Sequence, residues 1–256
     1  MKKIIMSLLS LCFLTTTLFA STIKKEIDVE AFSGIRLSGS PTVFVKQRAG
    51  SPRVVAEGTA ECLEHLVIKV ENDQLVIYIK SSPRRWFRPR LRLDNVKVYV
   101  EAEQLNSLIL TGSGDIKMKS DLLSTDEFVL KVTGSGDINA LKIEANRLNL
   151  SVSGSGDIEV QKVIAPSIEA RVTGSGDIEI KEGETDRAEY SVTGSGDIGA
   201  KGVEAIDVKA QIIGSGDISC WARGRLTGSV TGSGDVGYRG NPQEKNISKK
   251  GFRQLN

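Results

Sequence analysis

The tetrapeptide Gly-Ser-Gly-Asp occurs seven times, ending at Asp115, Asp137, Asp157, Asp177, Asp197, Asp217 and Asp235, at intervals of 22, 20, 20, 20, 20 and 18 residues. No other feature limits the possible fold as severely. About twenty residues cannot enclose a hydrophobic core, so each unit has to bury its apolar side against copies of itself. Five positions before each aspartate stand Leu110, Val132, Val152, Val172, Val192, Ile212 and Val230. Seven before stand Leu108, Leu130, Leu150, Ala170, Tyr190, Ala210 and Gly228. The alternation restarts beyond the corner, with Ile116, Ile138, Ile158, Ile178, Ile198, Ile218 and Val236 one position past it and Met118, Ala140, Val160, Ile180, Ala200, Cys220 and Tyr238 three past it. Period-two patterning on both sides of a glycine corner predicts two half-buried strands per unit. A less regular stretch, carrying "ANR", "APS", "GETDR" or "RGR", completes each unit.

Rungs about 4.8 Å apart would turn every column into a ladder of like residues, which suits the β-branched Val and Ile. The expected fold is therefore all-β: a single-stranded parallel β-helix, or β-solenoid, with rungs of about 20 residues. An antiparallel meander is the alternative, but it needs a second strong turn in each unit. No helical period intervenes to make βαβ units, and a propeller blade needs roughly twice this period. Within the corner, glycine permits φ > 0 and the aspartate is expected to fold its carboxylate onto nearby amides, as in an Asx turn. The Thr or Ser that follows the inward Val is placed to form a hydroxyl ladder.

The flanks divide the rest. Residues 1–20 read as a signal peptide: "MKK" is a basic start and "IIMSLLSLCFLTTTLFA" an apolar run ending in Ala20. That run is short for a membrane span, and the context of Cys12 after Leu11 argues against lipid attachment. Residues 21–256 form one expected solenoid domain, with irregular rungs or a cap over 22–110, regular repeats over 111–240 and a polar tail over 241–256. "SGIRLSGSPTVFVKQ", Ser33–Gln47, is a worn copy of the unit with Pro41 in place of the second glycine. "LVIKVENDQLVIYIK", Leu66–Lys80, reads as strand, turn at Asn72-Asp73, and strand. Losing Lys2 and Lys3 with the leader takes the formal charge from +2 to 0, which gives no global electrostatic case for nucleic acid.

Candidate chemistry is sparse. An aspartate ladder at rung spacing repels by roughly 1 kcal/mol per neighbouring pair even in a water-like dielectric. Backbone donors can relieve that, and so can calcium held between Asp137, Asp157, Asp177, Asp197 and Asp217; without a second acidic column the structural turn is the preferred reading. His65 beside Cys62 lacks an orienting partner for nucleophilic catalysis. The chain has no Cys-x-x-Cys metal spacing and no phosphate-binding loop, so no cofactor is expected. Stacking in sequence order would part Cys62 from Cys220 by about five rungs, too far for a disulfide. One stretch departs from the pattern, "SSPRRWFRPRLR", Ser81–Arg92. Its Arg84, Arg85, Arg88, Arg90 and Arg92 interleave with Trp86 and Phe87. Read functionally, it is a recognition loop for a surface glycan or another anionic envelope polymer; read structurally, it is a solvated connection.

The leader, "FSGIRLSGSPTVFVKQ", the repeated "GSGDI" and the closing "GSGDVGYRGNP" together resemble the DUF2807 family, the putative auto-transporter adhesin head GIN domain, from about Phe32 to Pro242. The resemblance implies a right-handed parallel β-helix, an exported protein and an adhesive role, and it brings no catalytic residues. The sequence reading is an exported cell-envelope scaffold or adhesin without enzymatic activity, the alternative being a glycan-binding or polysaccharide-processing β-helix.

Overall fold

A computed structural model describes residues 22–80 and 95–255, apart from the side chains of Ser124 and Thr125. Strands make up 72% of it, wound as a β-solenoid of about seven turns. The expected columns become ladders in register. Leu148, Leu150 and Val152 pair in parallel with Phe128, Leu130 and Val132 on one side and with Ile168, Ala170 and Val172 on the other. Past the corner, Ile138, Ile158, Ile178, Ile198, Ile218 and Val236 form one continuous column. These inward residues are almost wholly buried and share one core.

The stretch that looked irregular is a third in-register segment. Ile143, Val163, Gly183 and Val203 pair in turn, and Ala145, Ala165, Thr185 and Ala205 are buried two residues further on. Their varied size and one polar member hide the period in the sequence. Thr185 is accommodated because its hydroxyl donates to the Arg187 carbonyl at 3.1 Å. Residue volume is balanced along the axis as well: the ring of Tyr190 lies between Ala170 and Ala210 in the neighbouring rungs. Small neighbours make room for it, as dense packing requires. The Tyr190 hydroxyl is buried without a hydrogen-bond partner.

The N-terminal third does not stack in sequence order. Gly34–Gly39 lies between Gln74–Ile79 and Ser107–Gly112, parallel to both. Thr42–Gln47 lies likewise between Lys97–Ala102 and Asp115–Met118. The worn copy is therefore a true rung, with Ile35 on Leu108, Leu37 on Leu110 and Thr42 at the place of the aspartate. Beyond it the pairing turns antiparallel: Arg53–Thr59 pairs with Lys97–Glu101 and carries Thr22–Ile27 outside it, while Leu66–Glu71 pairs with Gln74–Ile79. Asn72 and Asp73 have φ of 51° and 63° at that hairpin's turn, the type I′ geometry that matches strand twist. A single short helix, Ala60–His65, joins the two antiparallel pieces; the Thr59 hydroxyl caps it by accepting from the Cys62 amide at 3.3 Å. The expectation of an in-order stack thus fails at this end, because strands that lack a further rung obtain partners by folding back. Cys62 and Cys220 are both buried and neither is in a disulfide. At the other end, Glu244–Ile247 pairs in parallel with Arg225–Gly228 and Phe252–Gln254 with Val236–Tyr238.

Candidate functional site: the aspartate corner

Each corner is held by its neighbours rather than by itself. In the unit ending at Asp157, Gly154 has φ of +128°. The amides of Ser155 and Gly156 both donate to the Gly134 carbonyl one rung earlier, at 2.8 and 3.0 Å. A Cβ on Gly156 would drive into the carbonyl oxygen of Gly136. The first glycine therefore supplies a left-handed backbone and the second supplies the space for rung-to-rung contact.

The carboxylates join this network across rungs, which corrects the local Asx-turn expectation. Asp137 Oδ1 accepts from the amide of Asp157 at 3.0 Å, and Asp157 Oδ1 from that of Asp177 at 2.8 Å. Asp177, Asp197 and Asp217 accept in the same way from Asp197, Asp217 and Asp235, each at 2.7 Å. The carbonyls are engaged too, with Ile158 donating to the Asp177 carbonyl at 2.9 Å. At the first corner, where Thr42 replaces the acid, the Asp115 amide turns to the Pro41 carbonyl at 3.2 Å. The ladder Asp137, Asp157, Asp177, Asp197 and Asp217 is thus a run of charge-assisted ties between identical turns. Asp157, Asp177, Asp197 and Asp217 are exposed and Asp137 is half-buried.

A shallow groove of about 590 Å³ runs beside the ladder, lined by Asp157, Asp177, Asp197, Asp217 and Asp235 and by the outward column Glu159, Glu179, Gly199 and Ser219. Sequence reasoning treated the aspartates as a lone acidic column and missed Glu159 and Glu179. The signal was their position, two past the aspartate on the same outer face. Lys181 lies 3.5 Å from Glu159 and 3.6 Å from Glu179. Among the described residues, no three His, Cys, Asp or Glu side chains converge as a metal site would require. A second groove, of about 380 Å³, lies on the third face between Ile164, Pro166, Glu184, Glu204, Ile206 and Arg223; Arg223 and Glu204 pair across it at 2.5 Å.

The other candidates fall elsewhere. Arg84, Arg85, Trp86, Phe87, Arg88 and Arg90 lie outside the described residues. Cys62 and His65 share the short cap helix. Cys220 lies inside the solenoid, where burial pushes its thiol up to about 12, the wrong direction for a nucleophile. Burial also raises the Tyr190 phenol.

Three solved structures share this architecture. One is described as a putative lipid binding protein from Parabacteroides distasonis ATCC 8503, 26% identical, with a TM-score of 0.81 over 92% of this chain and 97% of that one. A putative adhesin from the same strain is 25% identical, with a TM-score of 0.82 over 92% and 97%. A putative adhesin from Parabacteroides merdae ATCC 43184 shares the fold at 23% identity, with a TM-score of 0.82 over 92% and 96%. No curated protein matches the chain. No helix among the described residues is long and apolar enough to cross a membrane. The family model described as "Putative auto-transporter adhesin, head GIN domain" matches residues 31–242, a span that holds all seven glycine corners, so the chain belongs to that family, DUF2807, and has an adhesin-like role.

Proposed function

We propose that the protein is exported and acts without catalysis, as a scaffold whose basic, aromatic segment Ser81–Arg92 binds an anionic polymer such as an acidic surface glycan. The observation that carries this reading is the commitment of the corner carboxylates to the amides of the next rung. A general acid or nucleophile needs a carboxylate set apart from its copies by its surroundings, whereas these repeat one environment from rung to rung. In the sequence, Ser81–Arg92 falls between Gln74–Ile79 and Lys97–Ala102, and both of those strands send residues into the core. Arginine forks suit carboxylate, sulfate or phosphate, and Trp86 and Phe87 suit sugar faces. Export rests on the basic and apolar leader, residues 1–20.

The test is a glycan array probed with the protein and with the Arg84→Ser/Arg85→Ser/Arg88→Ser variant. Binding to acidic glycans that weakens with salt, and that the triple variant loses while its melting temperature holds, supports the proposal. Equal binding by the variant overturns it. The same samples melted with and without chelator test the ladder, which is expected to be indifferent to calcium removal; a chelator-induced drop of many degrees would make the aspartates a calcium site.

A further inference from the structure

A stack of strands must end, and its ends expose unpaired backbone. Among the described residues, four strands pair on one side only: Thr22–Ile27 and Leu66–Glu71 at the N-terminal end, Glu244–Ile247 and Phe252–Gln254 at the other. Three are protected in ways that discourage edge pairing. Thr22–Ile27 carries Lys24, Lys25 and Glu26 and is exposed along nearly its whole length. The two C-terminal strands have four and three residues and contain Glu244, Lys245 and Arg253. Leu66–Glu71 has no such protection. Its sequence is LVIKVE, its register with Gln74–Ile79 is unbroken, and it contains neither proline nor glycine. Leu66, Ile68 and Val70 pack only partly against the core. Its one basic side chain is drawn away from the open edge: Lys69 lies 2.6 Å from Glu71 and 5.6 Å from the centre of the Tyr78 ring on the strand behind.

We propose that this edge is an interface for a second copy of the chain, joined antiparallel through Leu66–Glu71 of each. The strand is self-complementary in one register. Residues directly opposite in an antiparallel pair share a face, so the inward set Leu66, Ile68 and Val70 must meet itself. Pairing centred on Lys69 sets two like charges opposite each other. Pairing centred on Ile68 sets Leu66 against Val70 twice and Ile68 against Ile68, with Val67 opposite Lys69 on the outer face. Because the same patch serves both copies, the contact closes at two. The segment Ser81–Arg92 of the same chain is the rival occupant, since the Lys80 amide that precedes it in sequence donates to the His65 carbonyl beside this edge at 2.8 Å. Pro83, Pro89 and five arginines make it a poor strand partner.

The register gives a charge-swap test by sedimentation velocity on the purified exported protein. The parent is expected to dimerise in the micromolar range. Val67→Lys places Lys against Lys69 at two symmetric positions and is expected to raise the dimer Kd at least about tenfold. Val67→Glu is expected to lower it, and Val67→Lys/Lys69→Glu to restore parent-like association. Circular dichroism melts separate this from misfolding: Val67→Lys should melt as the dissociated parent does. A parent that stays monomeric at every concentration overturns the proposal, as does a dimer indifferent to all three variants. A parent that dimerises only after residues 82–93 are deleted assigns the edge to the chain's own loop and also overturns it.

Discussion

Between Asp137 and Asp235 each rung meets neighbours nearly identical to itself, whereas the rung Gly34–Gln47 has the first GSGD rung on one side and unlike strands on the other, all of them written 40 or more residues later. The difference shows in how backbone groups find partners. Inside the regular stack a glycine carbonyl and an aspartate carboxylate recur at the same height in every rung, so one turn chemistry serves all. At the N-terminal end no rung follows, and the chain uses varied devices instead: antiparallel strands, a capped helix turn, a type I′ hairpin, the stacked rings of Phe44 and Tyr99 at 5.2 Å, and the ion pair of Lys24 with Glu57 at 3.2 Å. Here Lys24 holds the Glu57 carboxyl below its ordinary value. Repetition makes the first region rigid and uniform, while its absence leaves the second free to vary and to carry contacts.

The largest contrast is expected between two glycines. Gly156→Ala forces a Cβ into the Gly136 carbonyl oxygen and should lower unfolding free energy by about 3 kcal/mol. Gly50→Ala, where φ is +108° but space is open, should cost about 1 kcal/mol. Guanidinium midpoints at constant slope measure both, and equal losses would break the distinction between stack and end.

Alkaline pH should weaken the stack through its interior. Burial raises the Cys220 thiol to about 12 and pushes the Tyr190 phenol up as well. Both are neutral in the folded protein at pH 10, while the unfolded chain loses the thiol proton from about 8.5 and the phenol proton from about 10. The unfolded state then binds fewer protons, so stability falls as pH rises from about 9 to 12, by about 1.4 kcal/mol per unit for each group that has titrated. Cys220→Ala should flatten the first part of that fall. An unchanged slope would place the thiol in contact with water.

Smaller effects sharpen the account of the corner. Asp177→Ala leaves the Asp197 amide without its 2.7 Å acceptor and should cost about 1 kcal/mol. Asp177→Asn keeps an acceptor and removes like-charge repulsion, so it should match or slightly exceed the parent. If alanine and asparagine behave alike, the carboxylate is not a tie. Smallest of all, Tyr190→Phe removes a buried hydroxyl without a partner and should raise stability by up to about 1 kcal/mol.

Much of this architecture is legible in the sequence because the stack makes like meet like. The columns Val132 to Val230 and Ile116 to Val236 predicted two faces, and the turn residues Asn72 and Asp73 predicted a hairpin. The third face was hidden because Gly183 and Thr185 fill positions held elsewhere by Val and Ala. Strand order at the N-terminal end was hidden for a different reason. Patterning reveals which side of a strand is buried, not which neighbour it has, and Ile35 fits against Leu75 and Leu108 equally well. At the corner, the acid and glycines were readable as turn chemistry, but the partner of each carboxylate was not, since it lies one rung away rather than two residues along.

That strand order is the sharpest test of the account, because sequence order and the structure predict opposite neighbours. Arg36 pairs with Ile109 and with Val76 on the same outer face, so Val76 and Ile109 stand two rungs apart. Disulfide trapping under mild oxidation should therefore join the pair in Arg36→Cys/Ile109→Cys. It should fail in Val76→Cys/Ile109→Cys, whose Cα atoms are about 9.6 Å apart, beyond disulfide reach of about 7 Å. Cross-linking in the second pair and not in the first would mean that the rungs stack as they are written, and would contradict the inserted rung on which the contrast between the two regions rests.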